Sequence, residues 1–329
     1  MRRRAWSFFA LTFYLSLSLL LSSCAPSFHR AEGYAMGTFI TVSAESASTA
    51  KELLPLVSSL ENQISHKIPT SAVAKINLGE SVTVDGELLD ALLLSVELEE
   101  KTNGAFSVRL LPLTSLWDFE DPTVPTPEAL VLALGEVNAS ALTVKGSTVT
   151  LLGGGIDLGA VGKGMAADVL ASALREKNES GLVSVGGSIG AVGDKNGEGW
   201  RVGVRDPFSF SQSDTVGTLR LSDTFVSTSG SYEKTFTKDG ESYHHILSAE
   251  TGMPIENELI SVTVLAESGT LSDALSTALF AVGMEAGVSL CAEYGAEALF
   301  IKNDGSLFAT HGFAALFDAG EREVQLLEK

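Results

Sequence analysis

A lysine set among glycines at the mouth of a helix stands out in this 329-residue chain. Ile156-Asp157-Leu158 reads as the end of an apolar strand, and Gly159-Ala160-Val161-Gly162-Lys163-Gly164 as a glycine-rich turn. Met165-Ala166-Ala167-Asp168 then begins a helix. Glycine leaves backbone N–H groups uncovered and a helix start is electropositive, so an ammonium placed there suits a phosphate. The pattern is not a P-loop, because Gly164 stands where that motif requires Ser or Thr. On these residues alone two readings stay open: a tight strand-to-helix turn, or a nucleotide phosphate site.

Two further groupings carry chemistry. Asp273 and Thr277 lie four residues apart and so share one helix face. A carboxylate and a hydroxyl, joined by a backbone carbonyl and phosphate oxygens, are hard ligands suited to Mg²⁺. The alternative is that Asp273 charges the first helical turn while Thr277 bonds back to a carbonyl. His244-His245-Ile246-Leu247 precedes Thr251-Gly252-Met253-Pro254, which places two of the five histidines beside a glycine-proline turn. Histidines on a strand end are commonly structural, yet this placement also suits a site. The Gly186-Gly187 and Ser229-Gly230 pairs offer places where backbone can approach a ligand closely.

The elements that must hold these residues are mixed. Leu53, Leu56, Val57, Leu60 and Ile64 form a helical stripe in 47–64, with Pro55 expected in its first turn or at a kink. Asp85 is read as the cap of a helix turning Leu88, Leu89, Leu92, Leu93 and Val96 inward, and Thr126-Pro127-Glu128 opens another. Residues 141–152 read as a hairpin turning at Lys145-Gly146. The glycine-led helix runs to about Lys177, and short strands follow at 182–185, 188–192, 200–204, 216–221 and 259–265. Lys238-Asp239-Gly240 and Asn303-Asp304-Gly305 read as hairpin turns, and 270–284 as a buried helix. Clustered strands with helices grouped apart predict an α+β fold around an antiparallel sheet, with the Trp117–Pro127 loop marking off a smaller accessory lobe.

The start of the chain speaks to location. Arg2, Arg3 and Arg4 precede an apolar run ending Leu21-Ser22-Ser23-Cys24, the pattern of a secretory leader (1–23) with a lipobox. Cys24 is then the lipidated first residue of a single 24–329 domain, anchored to a membrane on its extracytoplasmic face; the alternative is a plain leader or an uncleaved anchor. Loss of the three arginines with the leader takes the formal charge from −19 to −22. Such a chain has no footprint for nucleic acid and is repelled by anionic lipid, so acyl chains must supply the attachment. Cys291, the second cysteine, reads as a small core residue in a helix.

The order of motifs resembles the ApbE-type FAD:protein FMN transferases, first described as thiamine-biosynthesis lipoproteins. It runs from Met36-Gly37-Thr38 through Ser71–Asn77, Thr102–Phe106, Asp157–Asp168, Gly186-Gly187, Trp200–Pro207 and Thr228–Glu233 to His245–Pro254 and Asp273–Thr277. The resemblance implies a T-fold-like architecture and a Mg²⁺-dependent reaction: FAD is cleaved at its pyrophosphate, AMP leaves, and FMN passes to a Thr or Ser hydroxyl of an acceptor protein. It implies FAD contacts at Met36, Ala105-Phe106-Ser107, Asp157, Lys163 and Leu247, and metal ligation by the Ala160 carbonyl, Asp273 and Thr277. His245 is the implied base, with Lys163 neutralising charge on the transferred group. Implied acceptors are flavoprotein subunits of sodium-pumping quinone reductases or ferredoxin:NAD oxidoreductases.

The chain departs from the family pattern where Ser107, Ser184, Ser188, Ser248 and Ser276 replace residues that are more often acidic or amide-bearing. Ser248 stands out, because the family's carboxylate there would orient His245 or an FAD contact. Two other functions stay in view, an FAD pyrophosphatase using water in place of the acceptor hydroxyl and a non-catalytic FAD-binding lipoprotein. Asp273, Thr277 and Lys163 argue against the last.

Overall fold

Strand and turn signals alternate from the outset of the computed structural model, which describes residues 27–329; the leader and Cys24 lie outside the described residues. The chain opens with β1 (His29–Ala35) and β2 (Thr38–Ala44), a hairpin turning through Met36 and Gly37, both at positive φ. The helix Ala47–Ile64 follows, capped by Ser46 accepting from the Thr49 N–H, and Pro55 sits in mid-helix rather than in the first turn. The short helix Ala72–Asn77, β3 (Val82–Thr83), the helix Gly86–Lys101, a helical turn at Leu111–Thr114 and the helix Pro127–Ala139 come next. β4 (Ala141–Lys145) and β5 (Thr148–Leu152) form the hairpin expected at Lys145-Gly146 and pair with β3 in a small three-stranded sheet.

The cradle helix Gly162–Glu176 leads into β6 (Gly181–Val185), β7 (Ser188–Val192), β8 (Trp200–Arg205), β9 (Thr215–Leu221) and β10 (Phe225–Gly230). The hairpin of β11 (Thr235–Lys238) and β12 (Glu241–His244) precedes β13 (Leu259–Ala266) and the helices Gly269–Val282 and Met284–Glu293. β14 (Glu297–Lys302), β15 (Leu307–Thr310), the helix His311–Leu316, β16 (Phe317–Asp318) and β17 (Val324–Leu327) end the described chain.

The main sheet has nine strands in the order β1-β2-β6-β7-β10-β13-β14-β15-β17, antiparallel except where β15 meets β17. One face is covered by the helices, which bury Val57, Met165, Leu170, Leu275 and Leu279 in the larger core. The other face is covered by β16-β9-β8, which buries Trp200, Val204, Leu219 and Leu221 against Val226, Leu265 and Leu299. The fold is therefore α+β with an antiparallel sheet, as the clustering of strands requires. Among the described residues no helix is long and apolar enough to cross a membrane.

Two local expectations are corrected. Leu93 is 47% exposed, and the buried stripe of the 86–101 helix runs through Leu88, Ala91, Leu92, Ser95 and Leu98. Small residues complete the inward face there, which a search for leucines alone misplaces by one position. Asp85 occupies the N-cap of that helix without a side-chain cap hydrogen bond. The Trp117–Pro127 loop is packed by contacts of its own. Trp117 and Phe119 pack with Phe236 and Tyr243 of the β11–β12 hairpin, and the Trp117 indole N–H donates to the Gly252 carbonyl at 3.0 Å.

Candidate active site

The cradle helix begins with an unmet need. Its N-cap is Val161, which offers no side-chain acceptor, so the first turn must find one elsewhere. Asp273 supplies it from the neighbouring helix: its Oδ2 accepts the Gly164 N–H at 2.8 Å. This requires the two backbones to touch. A Cβ on Gly164 would lie 2.1 Å from the Gly269 carbonyl oxygen, and one on Gly269 would lie 2.4 Å from the Gly164 oxygen. Glycine at both positions is dictated by this crossing.

Asp273 is 2% exposed, and its Oδ1 faces the Lys163 ammonium at a loose 3.5 Å. Lys163 itself keeps about a third of its side chain open to solvent (32%). One turn beyond Asp273, the Thr277 hydroxyl lies 3.0 Å from Ser229 Oγ of β10, and Ser276 lies 2.8 Å from the same atom. Ser276 also donates to the Asp273 carbonyl at 2.9 Å, so the serine in place of a further acid serves the helix–strand seam. The structure thus brings Lys163, Asp273 and Thr277 together where the cradle helix, the Gly269–Val282 helix and β10 meet, with Ala160 in the turn just before the cradle helix. Among the described residues no cluster of three or more His, Cys, Asp or Glu stands ready for a metal, so Asp273 is the lone carboxylate of this set.

His244 and His245 separate into different roles. His244 Nδ1 accepts the Ile246 N–H at 3.3 Å, so its Nε2 donates to the Ile255 carbonyl at 3.0 Å, and both nitrogens are occupied by backbone. His245 has a buried Nδ1 with no hydrogen-bond partner, and its ring meets Phe119 edge-on at 6.4 Å between centroids. Burial, then the nearby Lys234 and Lys163 charges, push its pKa down to about 3, against a backbone hydrogen bond at Lys234 that opposes the shift. His245 is therefore a neutral imidazole with a free nitrogen. Ser248 does not orient it: the Ser248 hydroxyl accepts the Glu250 and Thr251 N–H groups at 3.2 Å each and shapes the turn to Gly252.

The remaining implied FAD contacts line the approach to the cradle or support it. Met36 holds a positive φ of 53°, and its methyl lies against the α-carbon of Gly162, where a Cβ would be 3.1 Å away. Asp157 accepts the Gly159 N–H at 3.0 Å, receives Thr114 Oγ1 at 3.3 Å, and faces His66 Nδ1 at 3.7 Å. Its own N–H donates to the Val108 carbonyl at 2.7 Å, which brings the Ala105-Phe106-Ser107 turn beside it. Phe106 is buried, and the Ser107 hydroxyl accepts the Arg109 N–H at 3.0 Å, holding that turn. Leu247 is buried with Leu113, Trp117 and Phe236, so its backbone rather than its side chain is free to meet a ligand. Ser184 lies half-buried on β6, and Ser188 is buried with an unpartnered hydroxyl.

Several site neighbours were not foreseen in the sequence. Asp168 accepts the Gly269 N–H, the Thr270 N–H and the Thr270 hydroxyl at 2.6–2.7 Å. Burial nonetheless raises its pKa, with the Thr270 and Gly269 bonds opposing. Ser229, Arg205 and Glu233 lie inside the Trp200–Pro207 and Thr228–Glu233 motifs without a side-chain role read for them, and His66 lies in none of the motifs.

Residues 36–300 match the ApbE family. A Treponema pallidum protein named FAD:protein FMN transferase is 34% identical over 294 residues, covering 82% of this chain and 81% of that protein. The Escherichia coli K12 protein of the same name is 31% identical over 301 residues, 85% of each. Among solved structures, the Thermotoga maritima ApbE protein superposes with a TM-score of 0.79 at 30% identity, over 90% of this chain and all of that one (100%). The flavin transferase ApbE of Vibrio cholerae gives 0.76 at 27% identity, over 88% of this chain and 99% of that one. Shared motif order and shared architecture lead to one conclusion: the chain belongs to the ApbE family.

Proposed function

We propose that this protein is an FAD:protein FMN transferase. The observation that carries the reading is the junction of the two helix starts, where Lys163 faces Asp273, together with His245, whose buried Nδ1 has no partner. Family membership and relatives of that name support it.

In this reading the acceptor Thr or Ser oxygen attacks the FMN phosphorus, the bridging P–O bond breaks, and AMP leaves with the bond electrons. His245 takes the proton of the attacking hydroxyl on its free nitrogen. Lys163 offsets negative charge on the phosphoryl oxygens at the helix start, while Met36, Phe106 and its neighbours, Asp157 and the Leu247 backbone hold the dinucleotide.

The donor set also fits Mg²⁺. Asp273 Oδ1 has only a loose ammonium partner, the Thr277 hydroxyl stands one turn further along the same helix, and the Ala160 carbonyl, just before the cradle helix, is a third hard oxygen. These three would hold the ion, with phosphate oxygens and water completing its shell. When bound it supplies charge neutralisation on the pyrophosphate.

The leader and lipobox pattern of the sequence supports a location outside the cytoplasm with attachment through Cys24, and flavoprotein subunits of membrane redox complexes are the acceptors that suit it. The test is to incubate the full chain with FAD, Mg²⁺ and such a subunit and to read covalent flavin fluorescence on the acceptor. AMP release with no labelled acceptor overturns transfer in favour of FAD hydrolysis.

A further inference from the structure

Phe28, which leads into β1, is tied down before the first strand begins. It packs edge-on against Trp200, with 4.7 Å between ring centroids, and joins the core under β8 and β9. Trp200 is fixed in turn by its indole N–H, which donates to the Val192 carbonyl at 3.3 Å. Three residues separate Phe28 from Cys24, and a stretch of that length reaches about 14 Å at most. An acyl anchor on Cys24 therefore holds the Phe28–Trp200 contact close to the bilayer surface.

That contact and the cradle lie at opposite ends of the strands. β1 runs from His29 to Ala35, and the next residue, Met36, has its methyl against Gly162 of the cradle helix. β8 runs the same way, from Trp200 to Arg205, whose guanidinium covers the Tyr232 ring just past β10 at 5.1 Å. Seven residues of strand set the two ends about 20 Å apart.

The end nearest Phe28 gathers cations in a chain of net charge −19. The Lys195 ammonium lies over the Trp200 ring at 5.7 Å, and Lys195, Trp200 and Arg201 line one open cavity of about 510 Å³. Arg201 and Arg220 are direct cross-strand partners, both exposed on the outer face of β8 and β9. Like charges set opposite each other in a sheet are destabilising, and an anion lying across both offsets this. Asp194 and Glu198 temper the charge of the turn before β8, but Glu198 meets Arg220 only at 3.5 Å, with both side chains well exposed.

We propose that this end is the face the protein turns to its membrane, with Lys195, Arg201 and Arg220 set against headgroup phosphates. The cradle then opens about 20 Å further out, toward acceptors that present their hydroxyl beyond the bilayer surface. Cations facing headgroups also offset the repulsion that the acidic chain as a whole meets at a membrane. This rests on acylation of Cys24.

The test uses the full lipidated chain in vesicles of phosphatidylethanolamine and phosphatidylglycerol that carry a headgroup-attached quencher. Cys24 is blocked by its acyl chain and Cys291 is buried, so a fluorophore marks only an added cysteine. Ser222→Cys places it at the Trp200 end, next to Leu221, and Tyr34→Cys at the cradle end of β1; both positions are exposed. Quenching at position 222 is expected to exceed that at position 34 by at least about threefold. Arg201→Glu with Arg220→Glu is expected to cut quenching at 222 by about half while the vesicles still retain the protein, and added salt is expected to act in the same direction. Equal quenching at the two positions, or stronger quenching at 34, overturns the proposal, as does quenching at 222 that is indifferent to the charge reversal. Failure of the unmutated chain to float with the vesicles would instead defeat the anchoring at Cys24.

Discussion

Asp168 and Asp273 cap each other's helices. Asp168, on the cradle helix, takes the first two N–H groups of the Gly269–Val282 helix, and Asp273, on that helix, takes the Gly164 N–H of the cradle. Each carboxylate sits at a positive helix start, so the pairing is favourable electrostatically as well as by hydrogen bonding. Its consequence is positional: the two helices cannot shift past one another without baring N–H groups, and Lys163 and Asp273 keep their separation.

The double role of Asp273 separates with a conservative change. Asp273→Asn keeps an acceptor for Gly164 and should cost no more than about 1 kcal/mol of stability. Loss of the charge should slow Mg²⁺-dependent transfer by at least about 100-fold. Thermal unfolding and single-turnover labelling check both, and retained activity at ordinary Mg²⁺ would return Asp273 to capping alone.

Gly164→Ala tests the crossing. The new methyl would collide with the Gly269 carbonyl at 2.1 Å, and both atoms belong to packed backbone. We expect destabilisation of about 3 kcal/mol or failure to fold. Gly187→Ala, whose Cβ meets nothing within 4 Å, is the control for glycine substitution near the site, although its positive φ of 103° adds backbone strain. Denaturant unfolding of both variants gives the comparison.

His245 carries a pH signature. Its pKa in the folded protein is lowered to about 3 from 6.5, chiefly by burial. The unfolded chain therefore binds the extra proton more readily, and this group's contribution to stability is whole above pH 6.5 and declines as pH falls toward 3. His245→Gln should flatten the acid side of the stability curve over that window. In the native enzyme, kcat/KM for FAD should show no acid limb from this group down to about pH 5. His245→Ala should slow transfer with FAD affinity nearly unchanged, whereas Lys163→Ala should weaken FAD binding by about 1.5–3 kcal/mol. Parallel titrations and single-turnover assays distinguish the two, and weaker FAD binding in His245→Ala with full transfer at saturation would move His245 to the binding residues.

Anchoring is tested at Cys24. Cys24→Ala is expected to abolish incorporation of labelled fatty acid and release the protein from membranes. Unchanged retention would leave the apolar leader as the anchor.

Much of this protein is written in local sequence. The hairpin at Lys145-Gly146, the N-cap at Thr126, the strands after the cradle and the glycine-led helix itself follow from turn chemistry and periodicity, which act over a few residues. The spacing of Asp273 and Thr277 and the motif order likewise need only the chain. What local pattern cannot carry is which distant donor a carboxylate answers. Asp168 reads as an ordinary helical acid and Asp273 as a first-turn acid until the two helix starts come together across a hundred residues. Ser248 resembles a missing orienter of His245 until its hydroxyl is found closing a turn. His244 and His245 are adjacent and alike in sequence, yet backbone occupies one and aromatic packing isolates the other. Burial and partnering are properties of the assembled layers. Tertiary structure alone therefore decided which histidine keeps an unpartnered nitrogen.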